Sequence, residues 1–161
     1  MPCRGSHHNS KEIKMSRKQR SKEDLLKASE HLRYEYEMFN ETANALSKRE
    51  FKNNIVIKYA LIESFVIYTR NLIDFLYKDP RKDDDITARY FLDDQEIWRS
   101  KRPEKSSFLE DISSRANKEV AHLTSTRYDV NKIEGEPWPY LRIRNEINQI
   151  FREFLQLAQY L

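Results

Sequence analysis

Apolar residues recur along the first third of the chain with the spacing of an amphipathic helix. A leucine or phenylalanine stands at every seventh position, with Leu25, Leu32, Phe39 and Leu46 as the series. Ser21 precedes this series and is followed three residues later by Asp24, which is the arrangement of a helix N-cap. The pattern predicts a long first helix that begins at Ser21 and ends near Arg49.

The segment from Phe51 to Tyr77 differs in kind because it is apolar on nearly every side. Such a helix is expected in the middle of a bundle, or with a partner chain covering its second side. It is predicted to stop before Pro80. The acidic run from Asp83 to Asp85 then lies in a loop or caps the next short helix, and a solvated cap is favoured over a cation site there.

Three further apolar stretches follow. Residues 86–100 predict a short helix or turn across the bundle, and residues 106–128 predict a third main helix. The last helix is predicted from about Tyr140 to Leu161, after a loop marked by glycine and prolines. Its inward side chains are predicted to be Leu141, Ile147, Ile150, Phe151, Phe154, Ala158 and Leu161. The chain is therefore predicted to be all-α, an antiparallel four-helix bundle with an additional short helix.

Composition supports this fold class, because only two of the 161 residues are glycine. A β-sandwich, a barrel or a glycine-rich phosphate loop needs more turns with positive φ. Residues 1 to 22 carry seven basic groups and one acid, so their net charge is +6. Because the net charge of the whole chain is +3, the remaining residues sum to −3. Residues 1–20 are interpreted as a basic leader or tag remnant, predicted to be disordered, and residues 21–161 as a single helical domain.

The single cysteine, Cys3, excludes an intrachain disulfide and a cysteine metal cage. No stretch of 18 residues is apolar and free of charges, and no signal-peptide pattern is present. The protein is therefore predicted to be cytoplasmic and without a membrane partner.

Polar residues on the apolar second helix need hydrogen-bond or ionic partners if they are buried. Glu63 and Arg70 are seven residues apart and thus lie within about 20° of one another on the helix. Asp74 follows Arg70 by one turn and can pair with it. With Asn71, these residues form a polar edge, which the sequence predicts to be part of a buried network.

The third main helix has a similar polar edge. Arg115 and His122 are again seven residues apart, with Glu119 between them and Thr126 beyond. In an antiparallel bundle this edge could meet the edge of the second helix. His122 has no second histidine or cysteine at ligand spacing, so no metal site and no cofactor are predicted. From the residue pattern alone, a structural network that fixes helix register is favoured over a catalytic site.

Two strings on these helices, residues 63–77 and residues 115–127, resemble bacterial proteins of the HEPN superfamily, especially its abortive-infection-like, uncharacterised branches. The resemblance extends over about residues 22–161. It implies a four- or five-helix bundle, often dimeric, whose active members are metal-independent ribonucleases of toxins or phage defence. Arg115 and His122 fit the motif of these ribonucleases with six intervening residues. Ala116 departs from it, because a polar residue usually follows the arginine.

The resemblance implies that Arg115 and His122 are catalytic. Its supporting or substrate-binding residues would be Glu63, Arg70, Asn71, Asp74, Glu119, Thr126 and Arg127. It implies RNA as substrate, a second copy of the chain as partner, and an antitoxin or nucleotidyltransferase as a further partner. The alternative hypothesis is a non-catalytic helical interaction module with a structural buried polar network. A third and weaker hypothesis is nucleic-acid binding by the basic leader.

Overall fold

A computed structural model describes residues 20–82, 84–121 and 138–159, but not the side chains of residues 119–121. Within these ranges the structure is all-α, which confirms the predicted fold class. The α-helices are α1 (Lys22–Ser47), α2 (Ile55–Tyr77), α3 (Gln95–Lys101), α4 (Ser107–Ala121) and α5 (Tyr140–Leu157), and a 3-10 helix spans Ala88–Phe91. The number of principal helices stays a prediction, because residues 122–137 lie outside the described ranges.

The N-cap predicted for α1 is confirmed, since Ser21 Oγ accepts a hydrogen bond from the Asp24 backbone N–H at 3.1 Å. Arg20, the last residue of the predicted leader, contacts residues that follow α2. Its guanidinium donates to the Asp85 carbonyl at 3.1 Å and lies 5.6 Å from the centre of the Tyr90 ring. The packed body therefore begins at least one residue before Ser21, while residues 1–19 lie outside the described ranges.

The second helix begins at Ile55 and not, as predicted, near Phe51. Arg49 and Lys52 have φ values of 55° and 48°, which are incompatible with a continuous right-handed helix. Asn54 then caps α2, because its Oδ1 accepts hydrogen bonds from the backbone N–H groups two and three residues later, both at 3.1 Å.

Aromatic side chains join the long helices in the core. Phe39 of α1 stacks on Phe65 of α2 with ring centres 5.4 Å apart, and Tyr140 of α5 meets Phe65 edge-on at 5.3 Å. Further along, Tyr36 stacks on Phe151 at 4.1 Å. Earlier on α1 than Phe39, Tyr34 meets Tyr68, which lies later on α2 than Phe65, and the contacts of α1 with α5 run in the same opposed order, so α1 is antiparallel to both α2 and α5.

A second aromatic group surrounds Phe154 of α5 at the C-terminal end of α2. Its ring lies between 5.2 and 6.2 Å from the rings of Phe75, Phe91, Trp98 and Phe151. The 3-10 helix and α3 supply two of these rings, so the predicted short helical region of residues 86–100 does pack across the bundle.

Charged residues hold these short helices against the end of α2. Arg89 donates to Asp79 at 3.0 Å and to Glu96 at 2.6 Å, and Arg99 donates to Asp79 at 2.6 Å. Because each carboxylate receives two guanidinium groups, the four side chains form a closed ring. Networks of this kind hold their geometry better than isolated surface pairs.

The inner face of α5 follows the prediction except at its start. Ile147, Ile150, Phe151 and Phe154 are buried, as predicted. Leu141 is exposed instead of inward, and Ile143 is buried in its place. Leu141 precedes Ile147 by six residues and therefore points about 120° away from the buried face, whereas Ile143 precedes it by about one turn. Leu161 lies outside the described ranges.

None of the described helices is long and apolar enough to cross a membrane.

Candidate functional site

The described part of the predicted catalytic pair is Arg115, which lies near the C-terminal end of α4. The neighbouring residues Ile112 and Ala116 are buried and fix the inner face of α4 against the core. Arg115 is half-buried at the edge of this face, with its guanidinium carbon 4.0 Å from the centre of the Trp138 ring. Trp138 is buried just before α5, so this cation-π contact holds the arginine at the junction of α4 and α5.

Tyr140 completes the surroundings of Arg115. Burial raises the pKa of Tyr140 above its usual value, and the nearby positive charge of Arg115 opposes part of that rise. A guanidinium held against an aromatic ring loses little freedom when it binds, and its planar edge suits two oxygens of a phosphate or carboxylate. Arg115 therefore has the chemistry of an anion-binding residue.

The other predicted residues of this edge cannot be placed. The description of α4 ends at Ala121, one residue before His122 in the sequence. His122, Thr126 and Arg127 lie outside the described ranges, as does the side chain of Glu119. The pairing of Arg115 with His122 in one site stays a prediction.

The polar edge of α2 does not form the predicted buried network. Glu63 and Asn71 are exposed, whereas Arg70 and Asp74 are half-buried. Asn71 donates a hydrogen bond to Glu35 of α1 at 3.0 Å. Asp74 pairs with Lys78 at 2.6 Å, in place of the predicted pairing with Arg70. The correction has a simple cause: this edge of α2 faces away from the core, so solvent satisfies much of its polarity.

A polar seam does cross the helix interfaces, but it joins α1 to α5. Asn148 donates to Asn40 at 2.7 Å, and Arg144 donates to Asn44. The predicted seam between the second and third main helices is therefore not where these contacts lie. Asn40 and Asn44 are four residues apart on α1, and Arg144 and Asn148 are four residues apart on α5, so the sequence contains a signal for this seam that was not used to predict it.

Two cavities lie away from Arg115. One, of about 650 Å³, is lined by Pro103, Glu104 and residues of α5 that include Arg142 and Glu146. The other, of about 390 Å³, lies beside the C-terminal end of α2 and is lined in part by Asn71, Asp74 and Thr87. Asp74 Oδ1 and Thr87 Oγ1 are buried there and have no hydrogen-bond partner within the described ranges. Sequence reasoning predicted neither cavity.

Among the described residues, no group of three or more histidine, cysteine, aspartate or glutamate side chains is placed to hold a metal ion. Comparisons with known proteins find no match for this chain among family models, curated proteins or solved structures.

Proposed function

We propose that this chain is a cytoplasmic, HEPN-like RNA-cleaving protein of toxin or phage-defence type that acts as a homodimer. Arg115 and His122 are its catalytic residues, and no metal takes part. An antitoxin or a nucleotidyltransferase is the partner that would restrain it. The proposal keeps Arg127 as a further phosphate contact, with Glu119 and Thr126 beside the catalytic pair.

The chemistry follows from these residue types. The ribose 2′-oxygen attacks the adjacent phosphorus and loses its proton to one imidazole, while the bond from phosphorus to the 5′-oxygen breaks. A second imidazole, from the other copy, gives a proton to that leaving oxygen. Arg115 binds the non-bridging oxygens while negative charge accumulates on them. The products are a 2′,3′-cyclic phosphate and a free 5′-hydroxyl.

One observation supports this proposal above others: the guanidinium of Arg115 is held 4.0 Å over the Trp138 ring, seven residues before His122. Preorganised charge is more effective than charge on a flexible side chain, because it need not be ordered during the reaction. His122 follows Arg115 by seven residues in the sequence, and the proposal requires that its imidazole reach a phosphate bound by Arg115.

The test is cleavage of a fluorescent RNA by the purified protein in the presence of a chelator. His122→Ala should abolish cleavage, and Arg115→Lys should reduce it strongly, because lysine keeps the charge but loses the planar fork. His31→Ala is the matched control, since His31 is an exposed histidine on α1. Cleavage that survives His122→Ala, or that His31→Ala removes equally, would exclude the proposed site.

A non-catalytic interaction module is the second candidate, and the N-terminal end of α2 favours it. Ile55, Val56, Ile57 and Tyr59 are all exposed there, which is unusual for large apolar side chains in one stretch. In this case RNA would stay intact, and the chain would act by presenting this surface to a protein partner. Loss of partner binding in Val56→Asp, without any ribonuclease activity in the wild type, would favour this candidate over the first.

A further inference from the structure

The outward side of α2 carries a row of residues at alternating spacings of four and three. We call this the outer row, and its members are Val56, Ala60, Glu63, Ile67, Arg70 and Asp74. Alternating steps of four and three keep side chains on one face of a helix, which is the spacing found at the seam of paired helices. The outer row thus has the geometry of a helix-pairing surface, although no described helix covers it.

Burial along α2 shows that this row is distinct from the core face. Phe65, Leu72, Ile73 and Leu76 are buried. In the outer row, Val56 is 73% exposed and Ile67 is 43% exposed. An exposed apolar position near the middle of a helix, with another two to three turns away on the same face, is the kind of surface that proteins use for association.

The two opposite charges that flank Ile67 have no ionic partner among the residues that the structure describes. Glu63 and Arg70 form no ion pair within the described ranges. They are seven residues apart, about 10 Å along the helix axis, so they cannot pair directly with one another. Both charges can therefore pair with opposite charges on another surface.

A second copy of α2, antiparallel to the first, supplies those partners. A two-fold axis beside Ile67 would bring Ile67 of the two copies together and place Glu63 of each copy opposite Arg70 of the other. The same operation brings Val56 to the level of Tyr77, because both lie about the same number of residues from the axis. We propose that the outer row is the interface of a homodimer in which two α2 helices pair in this register.

Self-complementarity is what selects a second copy over a different protein. A two-fold interface uses the same surface of both copies, so that surface must carry residues that complement one another. The centre of the outer row meets this condition to within one residue, because Ile67 has an acid four residues before it, Glu63, and a base three residues after it, Arg70. The inference rests on the homodimer of the proposed function and adds its surface and register.

Ile67→Lys is the decisive substitution, with the molar mass in solution as the readout. Two lysines brought together at the axis should weaken the dimer roughly 30-fold or more, as loss of a central interface residue does. Leu155→Lys is a matched control on α5, because Leu155 is 44% exposed against 43% for Ile67. Both variants should keep the melting temperature of the monomer, since neither side chain is buried in the single chain.

Charge reversal tests the register. Glu63→Arg alone and Arg70→Glu alone each place like charges opposite one another and should weaken the dimer roughly tenfold. The double variant E63R/R70E exchanges the two signs and should restore dimerisation. Additive weakening in the double variant would overturn the proposed register.

Further outcomes separate this inference from the proposed function. A wild-type chain that is monomeric at all concentrations, or a dimer that survives Ile67→Lys, overturns the inference. A dimer that is lost with Ile67→Lys but never cleaves RNA supports the interface and rejects the ribonuclease. Cleavage by a dimer that Ile67→Lys leaves intact rejects the interface and leaves the ribonuclease standing. A lower melting temperature for Ile67→Lys, measured at concentrations at which the wild type is also monomeric, would show that another part of the same chain covers the row, which also overturns the inference.

Discussion

The two halves of α2 have equally apolar sequences but different surroundings. Residues 65–77 include seven buried side chains, whereas Ile55, Val56, Ile57 and Tyr59 in the first half are all exposed. The difference lies in the neighbours, because the second half is enclosed by α1, α5, the 3-10 helix and α3. Apolar composition therefore does not predict burial along this helix.

Side chains from other segments also donate hydrogen bonds to backbone carbonyl groups at the C-terminal end of α2. Trp98 Nε1 donates to the Leu76 carbonyl at 2.7 Å, and Arg102 donates to the Leu76 and Tyr77 carbonyls. These donors satisfy carbonyl groups that a helix end otherwise leaves to solvent. At the other end, the cap by Asn54 satisfies two backbone N–H groups. The comparison predicts a stable second half of α2 that carries the fold and an outer half, residues 55–64, that contributes little to the stability of the single chain.

The largest expected difference between the two halves of α2 is in the loss of stability when one aromatic residue in each half is truncated. Phe65→Ala should lower the free energy of unfolding by about 3 to 5 kcal/mol, because it leaves a cavity between Phe39 and Tyr140. Tyr59→Ala, an aromatic residue that is 55% exposed, should cost no more than about 0.5 kcal/mol. Urea unfolding measures both values. Equal losses would show that the first half is as well packed as the second.

A smaller effect is expected at the cap of the outer half. Asn54→Ala removes the side-chain oxygen that accepts from two backbone N–H groups and should cost about 1 kcal/mol. Asn53→Ala is the matched control, because Asn53 is an exposed asparagine just before the cap. Amide hydrogen exchange should accelerate over residues 56–60 in the Asn54 variant and remain unchanged beyond Phe65. Faster exchange along all of α2 would contradict two halves of different stability.

The sequence predicted which segments are helical because periodicity and caps are local properties. The spacing of Leu25, Leu32 and Phe39, with the cap at Ser21, was sufficient to predict α1. Periodicity also places Glu63 and Arg70 on one side of α2, where neither residue belongs to the buried core.

The sequence could not show which face of each helix points to the core at each turn. Glu63 was predicted to be buried, because an apolar helix was expected to be enclosed along its whole length. Which neighbour reaches which turn depends on pairs that are distant in sequence, such as Asn40 with Asn148, which are 108 residues apart. For the candidate site, the position of Arg115 beside Trp138 depends in the same way on how α5 returns to α4.

The smallest predicted effect is the loss of stability at alkaline pH that comes from Tyr77, at the end of the second half of α2. The Tyr77 hydroxyl donates to the Pro103 carbonyl at 3.2 Å, and burial raises the pKa of Tyr77 to about 12. Since the unfolded pKa is about 10, the folded state holds this proton more tightly. The resulting stability is fully present below pH 10 and is lost as the pH rises through about 12. Tyr77 is partly exposed, so screening should keep its share below about 1 kcal/mol.

Tyr77→Phe should therefore show a smaller decrease in melting temperature than the wild type between about pH 10 and 12. Parallel decreases in the two proteins would mean that the end of α2 is as open to solvent as its beginning.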